Sequence, residues 1–275
     1  MKYVTMAMIL SFITLSWTLY AQPLTNAHAH NDYEHQRPLL DALENGFTSV
    51  EADVYLVNGT FYVYHDLPDT IYKSRSLENL YLKPLWKRVK ANKGRVYPDY
   101  DDFFYLMIDF KSEASPAYEE LKKLLRNYRR MISIVTNDQD ESQKPVKIFI
   151  SGHTGARPYD EILADEKKLV ALDGRPNELG QGISAAVMPV VSDNYRNFLS
   201  WTGTGTVTLQ ERQRLQDLVQ RAHAEGKKVR LWAAPDTPQV WTFLLDNGVD
   251  LINSDKLPQL RQFLLQRNDK RPNRN

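Results

Sequence analysis

A regular alternation of short apolar segments with longer helical patterns is the feature of this sequence that most constrains its fold. The apolar segments are rich in β-branched and aromatic residues, as buried strands are. The strand candidates are residues 24–30, 47–57, 60–66, 104–110, 146–152, 168–173, 183–191, 227–235 and 249–255. Apolar residues have helical spacing over residues 37–46, 115–135, 208–226 and 237–248. Strands separated by helices over a span of about 250 residues predict an α/β protein with a TIM-type (β/α)8 barrel.

The first 21 residues differ from the rest of the chain. Lys2 gives a short basic start, residues 6–19 are mostly apolar, and Ala21 is a small residue suited to a cleavage point. This pattern is typical of a secretory signal peptide, and the run is shorter than the roughly 20 apolar residues that a membrane-spanning helix needs. We therefore expect an exported protein, periplasmic or extracellular, with no stable membrane span. The expected division is a signal peptide over 1–21, one barrel domain over 22–266 and a polar tail over 267–275.

Composition excludes several kinds of site. The chain has no cysteine, so it has no disulfide and no thiolate that binds metal or acts as a nucleophile. Any metal must be held by His, Asp or Glu, a set that favours Ca²⁺ or Mg²⁺, or else a histidine-rich zinc site. Removal of Lys2 with the signal peptide leaves 34 basic and 34 acidic residues. That balance gives no electrostatic reason to expect nucleic acid or an anionic membrane as a partner.

Polar side chains gather where several predicted strands end. Residues i and i+2 of a strand share a face, so His28 and His30 can point in the same direction. The same spacing occurs in Glu51 with Asp53 and in Asp109 with Lys111. The Asn58–Gly59 turn between residues 47–57 and 60–66 predicts a hairpin, and His65 lies near the end of its second strand. Because functional groups of a (β/α)8 barrel gather at the C-terminal ends of its strands, we expect these side chains to meet at one mouth.

Three of these side chains are carboxylates, which points to a metal. Carboxylates buried close together must be neutralised by a cation or a proton, because unpaired buried charge is costly. Glu51, Asp53 and Asp109 offer only oxygen ligands, which is typical of a Mg²⁺ or Ca²⁺ site.

Several segments carry a resemblance to a known family. They are "AHAHND", "GFTSVEADVYLVNGTFYVYHD", "LMIDFK", "VRLWAAPD" and "LLDNGVDLINSD". In this order they resemble the glycerophosphodiester phosphodiesterase superfamily, which includes the spider-venom sphingomyelinase D enzymes and other phospholipase C-like barrels. The segments "HNDY", "PLLDAL" and "SVEADVYLV" resemble the branch named for the altered inheritance of mitochondria protein six.

The resemblance implies a metal-dependent phosphoric diester hydrolase that acts on a small phosphodiester or a lipid headgroup. His30 and His65 would form the acid–base pair, and Lys111 would neutralise a phosphate oxygen. One divalent cation, Mg²⁺ or Ca²⁺, would be held by Glu51, Asp53 and Asp109. The choice of the first histidine is open: alignment of "AH" selects His28, whereas position nearer the mouth selects His30, which we favour.

The chain also departs from the family pattern. It lacks the His-Arg-Gly triplet and the Pro-Glu-Asn-Thr loop of glycerophosphodiester phosphodiesterases, and its third acid is Asp109 where those enzymes carry Glu. The alcohol of the phosphodiester therefore stays open. Arg230, Trp232 and His153 are further candidates for the wall of the substrate pocket.

Two other functions are compatible with parts of the sequence. A zinc or binuclear metallohydrolase of the amidohydrolase or histidinol-phosphatase type would use the His28-x-His30 pair, with Asp255 as a further ligand. Such sites need histidines on strands five and six, where this sequence has none. A non-catalytic barrel that binds a lipid headgroup or a glycan would use the 15 Tyr and 5 Trp residues instead.

Overall fold

Parallel strands form a closed barrel. The computed structural model describes residues 21–141, 144–152 and 157–269. Within them the strands are β1 (Leu24–Ala29), β2 (Phe47–Val57), β3 (Thr60–Val63), β4 (Phe104–Phe110), β5 (Val135–Thr136), β6 (Gln139–Asp140), β7 (Val146–Gly152), β8 (Lys167–Lys168), β9 (Ala171–Gly174), β10 (Val190–Asn194), β11 (Lys228–Trp232) and β12 (Leu251–Ser254). The barrel runs in the order β1-β12-β11-β10-β9-β7-β4-β2, and a further β1–β2 pairing closes it. The predicted (β/α)8 barrel is confirmed.

Two small antiparallel elements sit outside the barrel wall. Strand β3 pairs with the end of β2, and the turn between them has positive φ at Asn58 and Gly59, 48° and 76°. Positive φ at both central residues is typical of a type I′ hairpin turn, as the Asn-Gly sequence predicts. Strands β5, β6 and β8 form a separate small sheet.

Helices pack around the barrel and connect most of its successive strands, although none of the α-helices lies between β9 and β10. They are α1 (Leu40–Glu44), α2 (Lys83–Ala91), α3 (Ala114–Leu125), α4 (Tyr159–Ala164), α5 (Leu209–Ala224), α6 (Pro238–Asp246) and α7 (Leu257–Asp269). Helix α5 shows how the sequence sets a boundary: Thr208 and Glu211 form a reciprocal capping box at its start. Gly226, with a φ of 70°, follows its end.

The barrel interior changes character along its axis. Apolar side chains fill the N-terminal end: Tyr105, Met107, Phe149, Ala171, Val190 and Leu251. Buried polar side chains lie nearer the C-terminal end of the same strands: His28, Ser49, Glu51, Asp173, Ser192, Arg230 and Asn253. The apolar layer closes one end of the barrel, so the polar residues face the other end.

The predicted strand over residues 183–191 is wrong for most of its length. Strand β10 begins only at Val190, and a turn precedes it in which the amides of Val187 and Met188 donate to the carbonyl oxygen of Ser184, at 3.1 and 2.9 Å. Pro189 has no amide hydrogen to donate to a neighbouring strand. The apolar run is buried because it packs on the core, not because it is extended.

Two predicted helices are shorter than their patterns. The helix predicted over 115–135 ends at Leu125, and the amide of Ser133 donates to the carbonyl oxygen of Val146 at 2.8 Å, so the last apolar residues border the sheet. The helix predicted over 37–46 covers only Leu40–Glu44. Leu39 before it has a φ of 64°, and its amide donates to Asp32 Oδ2 at 2.5 Å, which holds the chain outside helical geometry.

The chain termini lie largely outside the described residues. Of the predicted signal peptide, only Ala21 is described, and of the predicted tail, residues 270–275 are not. In the part of the chain that the structure describes, no helix has both the length and the apolar character needed to cross a bilayer.

Candidate active site

A cavity of about 460 Å³ opens at the C-terminal ends of the barrel strands. It is lined by His30, Asn31, Glu51, Asp53, His65, Asp109, Lys111, Ser151, Gly152, Arg175, Arg230 and Trp232. Most of the predicted site residues therefore meet in one place. Two do not line it: His28 lies deeper in the barrel, and His153 lies outside the described residues.

The three predicted carboxylates form one cluster. Glu51 and Asp53 are two residues apart on β2, so their side chains point to the same face. Asp53 is the direct neighbour of Asp109 across the β2–β4 ladder. One carboxylate oxygen from each lies within 4.8 Å of the others. Burial and the nearby charges of Glu51 and Asp109 raise the pKa of Asp53 to about 6. Burial also raises the pKa of Asp109. The positive charge around the cluster is therefore too small to balance its three carboxylates.

The donor set fits a hard divalent cation. All donors are carboxylate oxygens, and Oδ1 of Asp53 is buried without a hydrogen-bond partner in the described structure. An unsatisfied buried carboxylate oxygen calls for a cation or a proton. Lys111 supplies part of the compensation, since its Nζ lies 2.9 Å from Asp53 Oδ2 and 2.5 Å from Asp109 Oδ2.

Glu51 differs from the two aspartates in its environment. Burial opposes its ionisation, but nearby positive charge, above all that of Arg230, outweighs burial and lowers its pKa. Its Oε2 lies 3.5 Å from His28 Nε2 and 3.4 Å from Arg230 Nη1. Glu51 is therefore a fixed negative charge at the floor of the cavity.

Two histidines flank the carboxylates. His30 donates from Nδ1 to Asp255 Oδ1 at 2.8 Å, and its Nε2 lies 4.0 Å from Glu51 Oε2. His65 lies just after β3, and its Nδ1 is 3.1 Å from Asp53 Oδ2. Because a carboxylate only accepts, both Nδ1 atoms carry the hydrogen, and both Nε2 atoms are left to exchange protons. Burial lowers the pKa of His30, but Asp255 and Glu51 outweigh burial and raise it overall.

His28 occupies a different position from His30. It has 0% exposure, its Nδ1 lies 2.7 Å from Ser49 Oγ, and Arg230 Nη1 donates to its Nε2 at 3.0 Å. Burial and the charge of Arg230 lower its pKa to about 4, so the ring is neutral. With both nitrogens occupied, His28 orients Arg230 and does not reach the cavity.

Tyr33 is a member of the site that the sequence pattern does not predict. Its buried hydroxyl lies 2.8 Å from Asp53 Oδ2, 2.8 Å from Asn31 Oδ1 and 3.2 Å from His65 Nδ1. It thereby connects the first loop to both a carboxylate and a histidine. The available signal is the "HNDY" segment, in which Asn31 has the left-handed φ of 46° that turns the chain back toward β2.

A ring of buried polar groups supports the cavity floor. Arg230 also donates to Ser192 Oγ at 3.1 Å and to Asn253 Oδ1 at 3.0 Å. Arg175, another residue without an assignment from sequence, donates to Asp173 Oδ2 at 2.8 Å and to the carbonyl oxygen of Gly152 at 3.1 Å. Trp232 is 38% exposed at the mouth. Arg230 thus supports the site from below, whereas the ring of Trp232 is available to a substrate.

The geometry weighs against a zinc site built on His28 and His30. Among the described residues, the group able to hold a metal consists of Glu51, Asp53 and Asp109 and includes no histidine. Nε2 of His28 accepts a hydrogen bond from Arg230, and Nδ1 of His30 donates to Asp255, so a ligand pair would have to break these contacts.

Comparison of the sequence with known families gives a match over more than half of the chain. A profile of the AIM6-like phosphodiesterase domain matches residues 20–171. The altered inheritance of mitochondria protein 6 of Eremothecium gossypii is 30% identical, over 87% of this chain and 69% of that protein. A homolog of that protein from Arthroderma benhamiae is 26% identical, over 83% of this chain and 80% of its own length.

Solved structures share the fold at low sequence identity. A glycerophosphodiester phosphodiesterase from Parabacteroides distasonis superposes with a TM-score of 0.54 and 16% identity, over 90% of this chain and 100% of the other. A glycerophosphodiester phosphodiesterase from Agrobacterium tumefaciens gives 0.52 and 14%, over 87% and 100%. At such identities the likeness extends to the barrel architecture alone.

Proposed function

Because the chain belongs to the family of AIM6-like phosphodiesterase domains, we propose that it is a phosphoric diester hydrolase with its active centre in the cavity at the barrel mouth. The observation that carries this proposal is the placement of the three-carboxylate cluster between two histidines. His30 and His65 each donate a hydrogen bond from Nδ1 to an aspartate, which leaves Nε2 available for proton transfer. Such a pair can serve as acid and base around one phosphate.

The carboxylate cluster supplies the site for a divalent cation. Glu51, Asp53 and Asp109 would hold Mg²⁺ or Ca²⁺, which when bound stabilises negative charge on a phosphate oxygen. Lys111, in contact with Asp53 and Asp109, adds a second positive charge at the same end of the cavity. Charge stabilisation of this kind is often the largest contribution to catalysis of group transfer.

The histidines move the protons. One Nε2 removes the proton from the attacking hydroxyl, and the other delivers a proton to the leaving oxygen. Asp255 and Asp53 hold the two rings in the tautomer this requires. Arg230 contacts Glu51 at the cavity floor and keeps it ionised, and the buried His28 positions Arg230 through the hydrogen bond that its Nε2 accepts.

The substrate is a small phosphodiester or a lipid headgroup. A cavity of about 460 Å³ has room for a headgroup-sized molecule. The exposed ring of Trp232 offers an apolar surface beside it, on which the alcohol part of the ester can pack.

Hydrolysis of bis(para-nitrophenyl) phosphate and of glycerophosphodiesters, followed by phosphorus NMR of the products, tests the proposal. We expect His30→Asn and His65→Asn to lower kcat by about 10²–10⁴-fold. The matched control is His223→Asn, which removes another histidine paired with an aspartate, Asp250, at 2.8 Å but far from the cavity. Full activity in both site variants, or equal losses in the control, would refute the assignment.

We also propose that the chain is exported, on the strength of the signal-like first 21 residues. Expression in the native host should yield a mature protein that begins at Gln22, as read by N-terminal sequencing. A soluble intracellular protein that retains Lys2 would contradict export.

A further inference from the structure

A second cavity lies on the face opposite the candidate active site. It measures about 490 Å³ and lies between the end of α2 and the segment that joins α3 to β7. Both segments lead into the N-terminal ends of barrel strands. The lining residues, here called the basic pocket, are Trp86, Val89, Lys90, Gly94, Arg129, Arg130 and Lys144. They include four cations and no acid.

In the described part of the chain, the cations of the basic pocket have no acidic partner. Among the residues that the structure describes, no carboxylate oxygen lies within 4.0 Å of Lys90, Arg129, Arg130 or Lys144. Lys90 Nζ lies 5.3 Å from the centre of the Trp86 ring, and Lys144 Nζ donates to the carbonyl oxygen of Arg129. Nearby cations behave differently and have acidic partners: Lys83 with Glu78, Arg95 with Asp101, Lys122 with Asp165 and Lys123 with Glu120.

Two stretches of sequence explain this concentration of charge. Residues 79–98 contain six Lys or Arg and no Asp or Glu, and residues 121–137 contain five and none. The barrel brings the ends of these stretches together around Trp86. A chain with a formal net charge of +1 therefore carries a strongly positive region on one face.

We propose that the basic pocket docks the chain on an anionic phospholipid bilayer. A tryptophan among lysines and arginines matches the chemistry of a membrane interface, where the ring lies at headgroup depth and the cations meet lipid phosphates. Lys90, Arg129 and Arg130 are exposed long side chains. Within the basic pocket no buried polar side chain points inward to select one small anion, which favours many headgroups over a single free phosphate.

Docking through the basic pocket fixes the orientation of the barrel. The pocket lies at the N-terminal ends of the strands and the candidate active site at their C-terminal ends. The mouth then faces away from the bilayer and stays open to water-soluble phosphodiesters.

Sedimentation of the purified chain with lipid vesicles tests the proposal independently of catalysis. We expect binding to vesicles of phosphatidylcholine with phosphatidylserine, weakening as salt is raised, and little binding to phosphatidylcholine alone. Each cation near the bilayer surface raises the vesicle partition coefficient by about fivefold. The three changes Lys90→Gln, Arg129→Gln and Arg130→Gln together should therefore lower that coefficient by about a hundredfold.

A second triple variant keeps the total charge change equal. Lys73→Gln, Lys167→Gln and Arg196→Gln remove three exposed cations elsewhere and should leave vesicle binding intact. Hydrolysis of a soluble phosphodiester should be unchanged in both variants, which shows that they fold. The proposal is overturned by equal losses in the two triple variants, by binding to neutral vesicles alone, or by a single-stranded RNA that displaces the vesicles at equal charge concentration.

Discussion

The hydroxyl of Tyr33 determines how His65 is presented to the cavity. It lies within hydrogen-bond distance of Asp53, Asn31 and His65 at once. The hydroxyl has one hydrogen to donate, and it can accept from Nδ1 of His65 while donating to an oxygen. Tyr33 and Asp53 together therefore keep the hydrogen on Nδ1 and the lone pair on Nε2.

Removal of this hydroxyl should slow catalysis without weakening substrate binding. Tyr33 is buried and does not line the cavity, so Tyr33→Phe should lower kcat by about tenfold to a hundredfold, the loss expected for a hydrogen bond to a charged group, with KM nearly unchanged. Steady-state kinetics measures both parameters. Tyr97→Phe is the matched control, because the Tyr97 hydroxyl donates to the carbonyl oxygen of Phe47 outside the site. Parallel losses of kcat in both variants would show a general effect of buried tyrosines instead.

Asp32, the neighbour of Tyr33 in the chain, should make stability depend on pH. Burial raises its pKa from 3.8 to about 7, although the amide of Leu39 and the hydroxyl of Tyr81 donate to it. Between these two values the folded chain keeps a proton that the unfolded chain has released. The contribution of Asp32 to the free energy of unfolding therefore falls as pH rises from about 4 to about 7, by about 4 kcal/mol at most.

The variant Asp32→Asn isolates this effect, because its side chain stays neutral at every pH. Urea denaturation at pH 5 and pH 8 should show the wild type losing stability relative to Asp32→Asn at the higher pH. A difference between the two proteins that is the same at both pH values would show that Asp32 is not the titrating group.

Elements of the fold were predictable where residues close together in the sequence determine them. The Asn58–Gly59 turn, the helix that ends before Gly226 and the alternation on β2 are local, so they appear in the structure as predicted. The segment over 183–191 failed because burial against the core and burial in a strand select the same apolar residues. No local pattern separates those two cases.

The junction between α1 and β2 offers a test at the scale of elements. Gly46 has a φ of +81°, and a Cβ there would lie 2.1 Å from the carbonyl oxygen of Gln22. Gly59 has a similar φ of +76°, but a Cβ there would meet nothing within 4 Å. Gly59→Ala should thus lower the free energy of unfolding by about 1 kcal/mol and Gly46→Ala by about 3 kcal/mol or more. Urea denaturation compares them, and equal costs would contradict the close approach of the two backbones.

Over the whole molecule, the sequence predicted the barrel, the family and eight of the twelve residues that line the cavity, but not the supporting contacts. The grouping of Glu51, Asp53 and Asp109 could be predicted because strand alternation and the closing of a barrel bring them together. The contacts of Asp255 with His30 and of Arg175 with Asp173 depend on loop paths after strands, which no periodicity encodes. The basic pocket could not be predicted either, because a balanced total charge does not indicate where on the folded chain the charges lie.

The central claim is that three carboxylates hold one divalent cation on which phosphodiester cleavage depends. The most direct measurement is hydrolysis of bis(para-nitrophenyl) phosphate by the purified chain before EDTA treatment, after it, and after return of Mg²⁺ or Ca²⁺. We expect activity to vanish with EDTA and to return with one cation per chain, and Asp109→Asn to remain inactive at the same cation concentration. Full activity in EDTA, or two zinc ions per chain, would contradict the claim.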